Sequence, residues 1–456
     1  MSAYNESLIK GSVVKGLVRF AIPVLLSNIL QIVYSTTDLF IVGRFASTAD
    51  VSGVSTGSML MGLVTFAVFG LVHGVAVLVG RNAGAKNEAG IRRAVGTSVT
   101  FFAIFCAAAM IPLILFNKPL VSLMNTPPEA VEKARSYFLI CAVGTPFIVG
   151  YNLSGSIMRG FGNSKTPLFF VGVSCGINII LDYILIRWVH MGASGAAVAT
   201  VTAQGISLLF SGRHVLTKTF GFRIRSSDIR IDGGSLKQLL KVGVPQGAQE
   251  LLVQISFMII LAIINDMGLS ESAAGGIAGK LLVFLTMPQM AVASSVGTMA
   301  AHNLGAGQRE RAERGLWVGM AIAAGIGVVL HLISRFFGPQ LARFFIDDPA
   351  VIRNTASYLR SYTIDCITAG FVFPMNSYLA SCGYALFTML HSLAATFGVR
   401  VPMALGMSRL PGATLEHIGW SAPASTFVSL ILCSAFLYFY VRKKYPARDP
   451  AEQEVP

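Results

Sequence analysis

Two aspartates stand where an acid is costly. Asp38 lies near the end of the apolar stretch from Arg19 to Arg44, and Asp182 near the end of a second, from Lys165 to Arg187. Gln31, Tyr34 and Asp38 are three and four residues apart and so share one helix face; Asn178 and Asp182, four apart, share another. A carboxylate at membrane depth costs roughly 3 kcal/mol on insertion scales, and it is retained where it faces protein or a water-filled cavity. If both helices start on one side, Asp38 lies 19 residues, about 28 Å, from Arg19, and Asp182 lies 17 residues, about 26 Å, from Lys165. The acids then share one depth, in the far third of the bilayer. Low dielectric disfavours two negative charges in one cavity, so H+ or Na+ binds between them or one holds a proton. Tyr34, Asn152, Asn178, Thr200 and Gln204 are the polar residues placed around them, Thr200 and Gln204 being four apart on one helix. Ordinary interhelical hydrogen bonding is the other role open to these five.

The elements that position such acids must be membrane helices. The chain has 456 residues, 54% hydrophobic and only 12% charged, with mean hydropathy +0.67, where soluble domains carry about 25% charged residues. The net charge of +14 does not form one patch that would suit nucleic acid; it falls in short clusters between apolar runs, the mark of membrane topology. The N-terminal residues are polar and the first apolar run is too long for a signal peptide, so none is expected. The six cysteines all fall within apolar runs and form no CxxC pair, which argues against a disulfide framework or a zinc site. No P-loop, HExxH or GxSxG context appears, so neither ATP-driven nor enzymatic action is supported and no cofactor is expected. Energy must come from an ion gradient.

Twelve spans are expected, at about 15–42, 52–80, 93–116, 134–158, 166–187, 193–215, 238–265, 273–300, 312–337, 354–380, 384–408 and 417–441. The fourth to sixth and tenth to twelfth are interrupted by Gly and Pro. An even count puts both termini on one side, and basic residues choose it: 23 lie on the terminal side and 10 on the other. Both termini are therefore expected in the cytoplasm, with the chain in the plasma (inner) membrane. The class is all-α and polytopic, twelve transmembrane helices in two pseudo-symmetric six-helix lobes. The expected lobes are 1–217 and 238–441, joined by a basic linker at 218–237 and followed by a tail at 442–456. The halves repeat. Residues 80–95 (GRNAGAKNEAGIRRAV) resemble 301–316 (AHNLGAGQRERAERGL) at an offset of 221, and Pro23 matches Pro245 at 222. Both halves enter from the same side, so the pseudo-twofold runs along the membrane normal, and sites in such transporters lie between the halves.

Over nearly its whole length the chain resembles the multidrug and toxic compound extrusion (MATE) family. The resemblance is carried by Pro23 with Asp38 fifteen residues later, MRGFGNSKTP (158–167), GINIILD (176–182), GASGAAVATVTAQ (192–204) and RVP (400–402). The acids and Asn178 are most similar to the DinF-like branch. There the N-terminal lobe carries one acid in span one and another in span five, held to bind the coupling H+ or Na+ and to reshape the first helix. The resemblance supports Tyr34, Asn152, Asn178 and Thr200 as their company; Gln204 rests on its spacing alone. It implies an exporter of amphipathic, often cationic, drugs by antiport, working as a monomer in the bilayer. A lipid-linked precursor flippase of the same two-lobe architecture is the alternative, though its cavity should be cationic to hold a pyrophosphate.

The second lobe departs from the first. Offset 222 from Asp38 lands on Ile260, and offset 221 from Asp182 lands on Met403. It carries Glu250, Lys280, Asp365 and Arg400 within its spans. Glu250 lies 9 residues past Lys241 and Lys280 lies 9 residues past Glu271, each about 14 Å deep. They are expected to pair near mid-membrane, in a structural or a gating role. Asp365, in the outer third, is placed to face Asp38 across the cleft. With Gln31, Asn152 and Gln204 these residues make up the expected substrate cavity. Met- and Phe-rich runs at 59–69 and 285–290 could wall it, as suits a promiscuous binder of flat organic ions.

Overall fold

The computed structural model of the protein describes residues 8–124, 126–217 and 220–441; the expected tail lies outside them. Its first half contains α1 (Val13–Phe45), α2 (Thr48–Gly84), α3 (Glu88–Leu115), the short α4 (Asn117–Leu123), α5 (Pro128–Val143), α6 (Thr145–Gly160), α7 (Lys165–Asp182) and α8 (Gly192–Thr217). The second contains α9 (Gly233–Asn265), α10 (Leu269–Gly305), α11 (Arg309–Arg343), α12 (Pro349–Tyr362), α13 (Asp365–Ser381), α14 (Ala385–Ala395), α15 (Val401–Ser408), α16 (Leu415–Gly419) and α17 (Ser421–Phe436). Tyr183–Trp188 continues α7 as a wider π-helical turn, and Thr396–Arg400 joins α14 to α15 in the same way.

Lipid offers no partner for backbone N–H and C=O groups, so a crossing chain must satisfy them within helices. On α1 the side chains at Val18, Ile22, Leu26, Val33 and Phe40 are exposed, while Leu17, Phe20, Val24, Asp38 and Val42 are buried. Apolar residues thus cover the outside and the acid lies inside. Pro23 removes one backbone donor within α1, and Ser27 donates from Oγ to the Pro23 carbonyl at 2.8 Å. The fourth crossing is α5 with α6, bent by 54° at Gly144, where Pro146 cannot donate the next helical bond. The tenth is α12 with α13. The sixth, expected to be interrupted, is the single unbroken helix α8, because the glycines after its first residue, Gly195, Gly205 and Gly212, take helical geometry. Helices begin earlier than hydropathy suggests: α9 starts at Gly233 and α5 at Pro128, since caps and polar first turns extend beyond the apolar run.

The chain forms two compact units, the first holding residues 8–11 and 18–251 and the second 12–17 with 252–441. The division does not fall at the linker. The first half of α9 belongs to unit one because its glycines let it meet α2 backbone to backbone. A Cβ on Gly70 would fall 2.0 Å from the Gly247 nitrogen, and one on Gly74 would fall 2.6 Å from the Leu239 oxygen. Small residues spaced four apart permit such approach in membranes. Unit two repeats the arrangement with Ser295 of α10, whose Oγ donates to the Leu17 carbonyl at 2.9 Å.

The repeat is written in the turns as well. Asn87 N bonds Asn82 O at 2.9 Å, and Gln308 N bonds Asn303 O at 2.8 Å. After the fourth and tenth crossings the turns use Gly162 (φ 88°) and Gly383 (φ 92°), again 221 apart, a backbone region that favours glycine. The basic linker is docked on α3. Arg92 pairs with Asp228 at 3.2 Å, Thr97 Oγ1 accepts from Asp232 N at 2.9 Å, and Phe220 is buried in the unit-one core.

Candidate coupling and substrate site

Helices α1 and α7 bring Asp38 and Asp182 together inside unit one. Their carboxyl groups lie within hydrogen-bonding reach of each other, and Asn178 reaches Asp38 as well. Asp182 and Asn178 are fully buried and Asp38 is 5% exposed. Thr200 of α8 donates from Oγ1 to Asp38 Oδ2 at 3.4 Å. The Tyr34 hydroxyl, one turn before Asp38, lies beside Thr200 and Gln204. Tyr34 Oη and Gln204 Oε1 are buried and make no well-formed hydrogen bond among the described residues. The arrangement is an oxygen-rich pocket with two acids in contact. Two ionised carboxylates cannot rest at that distance in a dry site, so the pair carries one proton or accepts a cation. Its ligands are carboxylate, amide and hydroxyl oxygens, which suit a hard monovalent ion such as Na+.

Asn152 does not join them. Its amide donates to the Ile148 carbonyl at 2.8 Å, and with Gln31 it lines a separate cavity near the start of α7. The 54° bend between α5 and α6 turns its face that way. Glu250 falls in unit one and Lys280 in unit two. Glu250 is half-buried and Lys280 exposed, and neither forms an ion pair inside its own unit among the described residues. Asp365 belongs to unit two, where its carboxylate accepts from Thr368 Oγ1 at 3.1 Å and feels the nearby Arg400. The buried Arg400 donates to the Tyr362 hydroxyl at 2.7 Å and lies 4.1 Å over the Phe257 ring. In the Met-rich runs Met59 and Met290 are exposed, while Met61 and Met287 are buried.

Three residues that sequence reasoning passed over bear on the site. Tyr137 of α5 is buried and interacts electrostatically with Asp38, Asp182 and Tyr34. It lies against Gly57, where a Cβ would come within 2.5 Å of its ring; Gly53 and Gly57, four apart, were the readable signal of a bulky neighbour. Asp50 caps α2 from Ser47, accepts from Ala193 N at 3.0 Å and pairs with Lys133 at 3.2 Å, so it ties three helix ends together. Arg159, which reads as a loop cation, lines the cavity with Gln31 and Asn152.

The MatE family model matches residues 23–184 and again 245–405, each match opening on the proline inside the first helix of its half. The chain belongs to the MatE family. Its relatives include Probable multidrug resistance protein YoeA of Bacillus subtilis, 28% identical over 449 residues and covering 96% of each chain. The FAD transporter of Shewanella oneidensis is 24% identical over 359 residues, 78% of this chain and 79% of that one. Among solved structures, the outward-facing conformation of a multidrug resistance MATE family transporter of the MOP superfamily superposes with a TM-score of 0.87 at 21% identity, covering 93% of this chain and 95% of that one. MatE proteins are transporters, not enzymes, and this chain is an integral, multi-pass membrane protein of that kind. The all-α class of twelve helices in two six-helix lobes, expected from the sequence, is the class found.

Proposed function

We infer that the protein exports amphipathic, often cationic, organic compounds in exchange for H+ or Na+. The contact between Asp38 and Asp182, buried with Asn178 and Thr200 in one unit, is the observation that carries this reading. An ion that enters between the acids neutralises them. A neutral pocket holds an organic cation less well, so ion entry on one side promotes release there. Ion departure on the other side restores the negative charge and the affinity. Exposing the same pocket to the two sides in turn converts the ion gradient into export. Tyr34, Thr200 and Gln204 serve the ion; Gln31 and Asn152 face the substrate, and Glu250, Lys280 and Asp365 line its route. The termini are cytoplasmic, the membrane is the plasma (inner) membrane, and the monomer is the working unit.

The test is purified protein in proteoliposomes loaded with a cationic dye. Export should follow an imposed pH or sodium gradient and stop when the gradient is collapsed. Dye movement indifferent to both gradients would overturn the antiport reading. For topology, a Ser227→Cys reporter in the linker should label only from the cytoplasmic face of intact cells; labelling from outside would reverse the orientation.

A further inference from the structure

Arg159 ends α6, where a loop-side arginine would ordinarily extend to water. Here it folds back along its helix: a Cβ on Gly155 would lie 3.3 Å from its Nη1. The half-buried guanidinium therefore lines the unit-one cavity with Gln31, Tyr151 and Asn152. Among the described residues the Arg159 side chain makes no ion pair and no hydrogen bond, and neither do the side chains of Gln31 and Tyr151. The titratable groups acting on it are Tyr151 and His73, neither of them a carboxylate. His73 Nε2 is itself buried with no hydrogen-bond partner among the described residues. No carboxylate lines the cavity. A cation kept at membrane depth without an internal counter-charge is costly unless something else supplies one.

We propose that this cavity is an anion subsite, in which Arg159, with Gln31 and Tyr151, takes the carboxylate or phosphate of an amphipathic solute. A guanidinium offers paired donors that match either group in bidentate fashion, and the amide and the phenol supply two more. Position fixes the second feature of the ligand. From Gln31 to Asp38 is seven residues of α1, about 10 Å, and from Val171, also in the cavity wall, to Asp182 is eleven residues of α7, about 16 Å. The anion subsite and the acid pair are thus offset along the same two helices by the length of a fused-ring solute. A compound with a carboxylate at one end and a delocalised cation at the other fits both. The proposal rests on the export reading only in taking this cavity as part of the substrate path.

The experiment measures binding, with no gradient applied, to the full-length protein in nanodiscs. Two dyes share a xanthene cation: rhodamine B keeps a free carboxylate, and rhodamine 6G carries it as an ester. Arg159→Gln should weaken rhodamine B about tenfold, the loss expected for one charged hydrogen-bonded contact, while rhodamine 6G binds as well or better for want of a repelling charge. Arg159→Lys, which keeps the charge, should recover most of the rhodamine B affinity. Equal losses for both dyes, or no recovery with lysine in a protein of normal melting temperature, would overturn the proposal. Discs of phosphatidylcholine and of phosphatidylglycerol identify the source of the anion. Rhodamine B displaced by phosphatidylglycerol points to a lipid headgroup in the subsite, and equal binding in both points to free solute. Because no gradient is used, a protein that binds through Arg159 yet fails to couple refutes antiport and leaves the subsite standing.

Discussion

Replacing Asp38 by asparagine keeps the shape of the acid pair and removes half its charge. The size of the effect follows from the geometry. Asp38 and Asp182 are within hydrogen-bonding reach, so an ion between them sits about 4 Å or less from each. At an effective dielectric of about 20, one unit charge at 4 Å contributes about 4 kcal/mol. Losing one carboxylate should therefore weaken the coupling ion roughly 10³-fold, at about 1.4 kcal/mol for each factor of ten. Asp182→Asn should do the same. Thr200→Ala removes one long hydrogen bond, 3.4 Å to Asp38 Oδ2, worth about 1 kcal/mol, and should cost only about fivefold. Folding should not suffer, since each asparagine relieves a like-charge contact. The assay is gradient-driven dye export from proteoliposomes, run beside expression level and melting temperature. Both aspartate variants should lose export while staying folded, and Thr200→Ala should stay active with a raised half-saturating ion concentration. Near-normal export by both aspartate variants would refute the argument and move coupling elsewhere, with Glu250 and Asp365 the next residues to test.

Asp365→Asn, which removes an acid with no carboxyl partner of its own, should slow export far less than either unit-one change in the same assay. Gly70→Ala places a Cβ 2.0 Å from the Gly247 nitrogen; backbone cannot yield as a side chain can, so melting should fall by the equivalent of about 1–3 kcal/mol. Gly192→Ala meets two obstacles, a φ of 54° and Asp50 Oδ1 at 2.3 Å from the new Cβ, and should lower the melting temperature by more than Gly176→Ala, where the Cβ meets open space. In the linker, the Arg225 backbone N–H and then Arg92 hold the Asp228 carboxyl below the usual carboxylate range. A folded value below the unfolded one stabilises docking above the unfolded pKa of about 4, and that stability is lost as pH falls further. Hydrogen-exchange protection at residues 223–230, taken relative to the intrinsic rate at each pH, should accordingly be high at pH 7 and fall toward pH 3, with Arg92→Ala showing a smaller difference between the two.

The contact between the two acids was legible because hydrophobic runs fix depth and spacing fixes face. Nineteen and seventeen residues of regular helix leave little room for another outcome. Asn152 shares a cavity with Gln31, as the sequence suggested, but its distance from the acids was not legible, because depth counting assumes a straight helix and the fourth crossing bends by 54° at Gly144. Arg159 was hidden for a related reason. Its sequence neighbours spell a loop, and it turns back over Gly155, which leaves its guanidinium room. The expected partnership of Glu250 with Lys280 rested on depth alone. The structure assigns Glu250 to unit one and Lys280 to unit two, α9 being divided between the units.

The internal repeat preserved geometry and let chemistry diverge. Positions 221 apart still make the same turns, as Asn82 and Asn303 and then Gly162 and Gly383 do. The same offset pairs Tyr137 with Tyr358, both buried. Around Tyr137 the charged groups are Asp38 and Asp182; around Tyr358 they are Arg400 and Asp365. In unit two an internal guanidinium, stacked on Phe257 and bonded to Tyr362, stands where unit one has only acids. A tethered cation cannot leave as a free ion can, so Asp365 in unit two always has Arg400 near it, whereas the charged groups acting on Tyr137 in unit one are both acids. Under the antiport proposed above, coupling requires a site whose charge changes during the cycle, and of these two tyrosine-flanked clusters the all-acid one in unit one is the better suited to it.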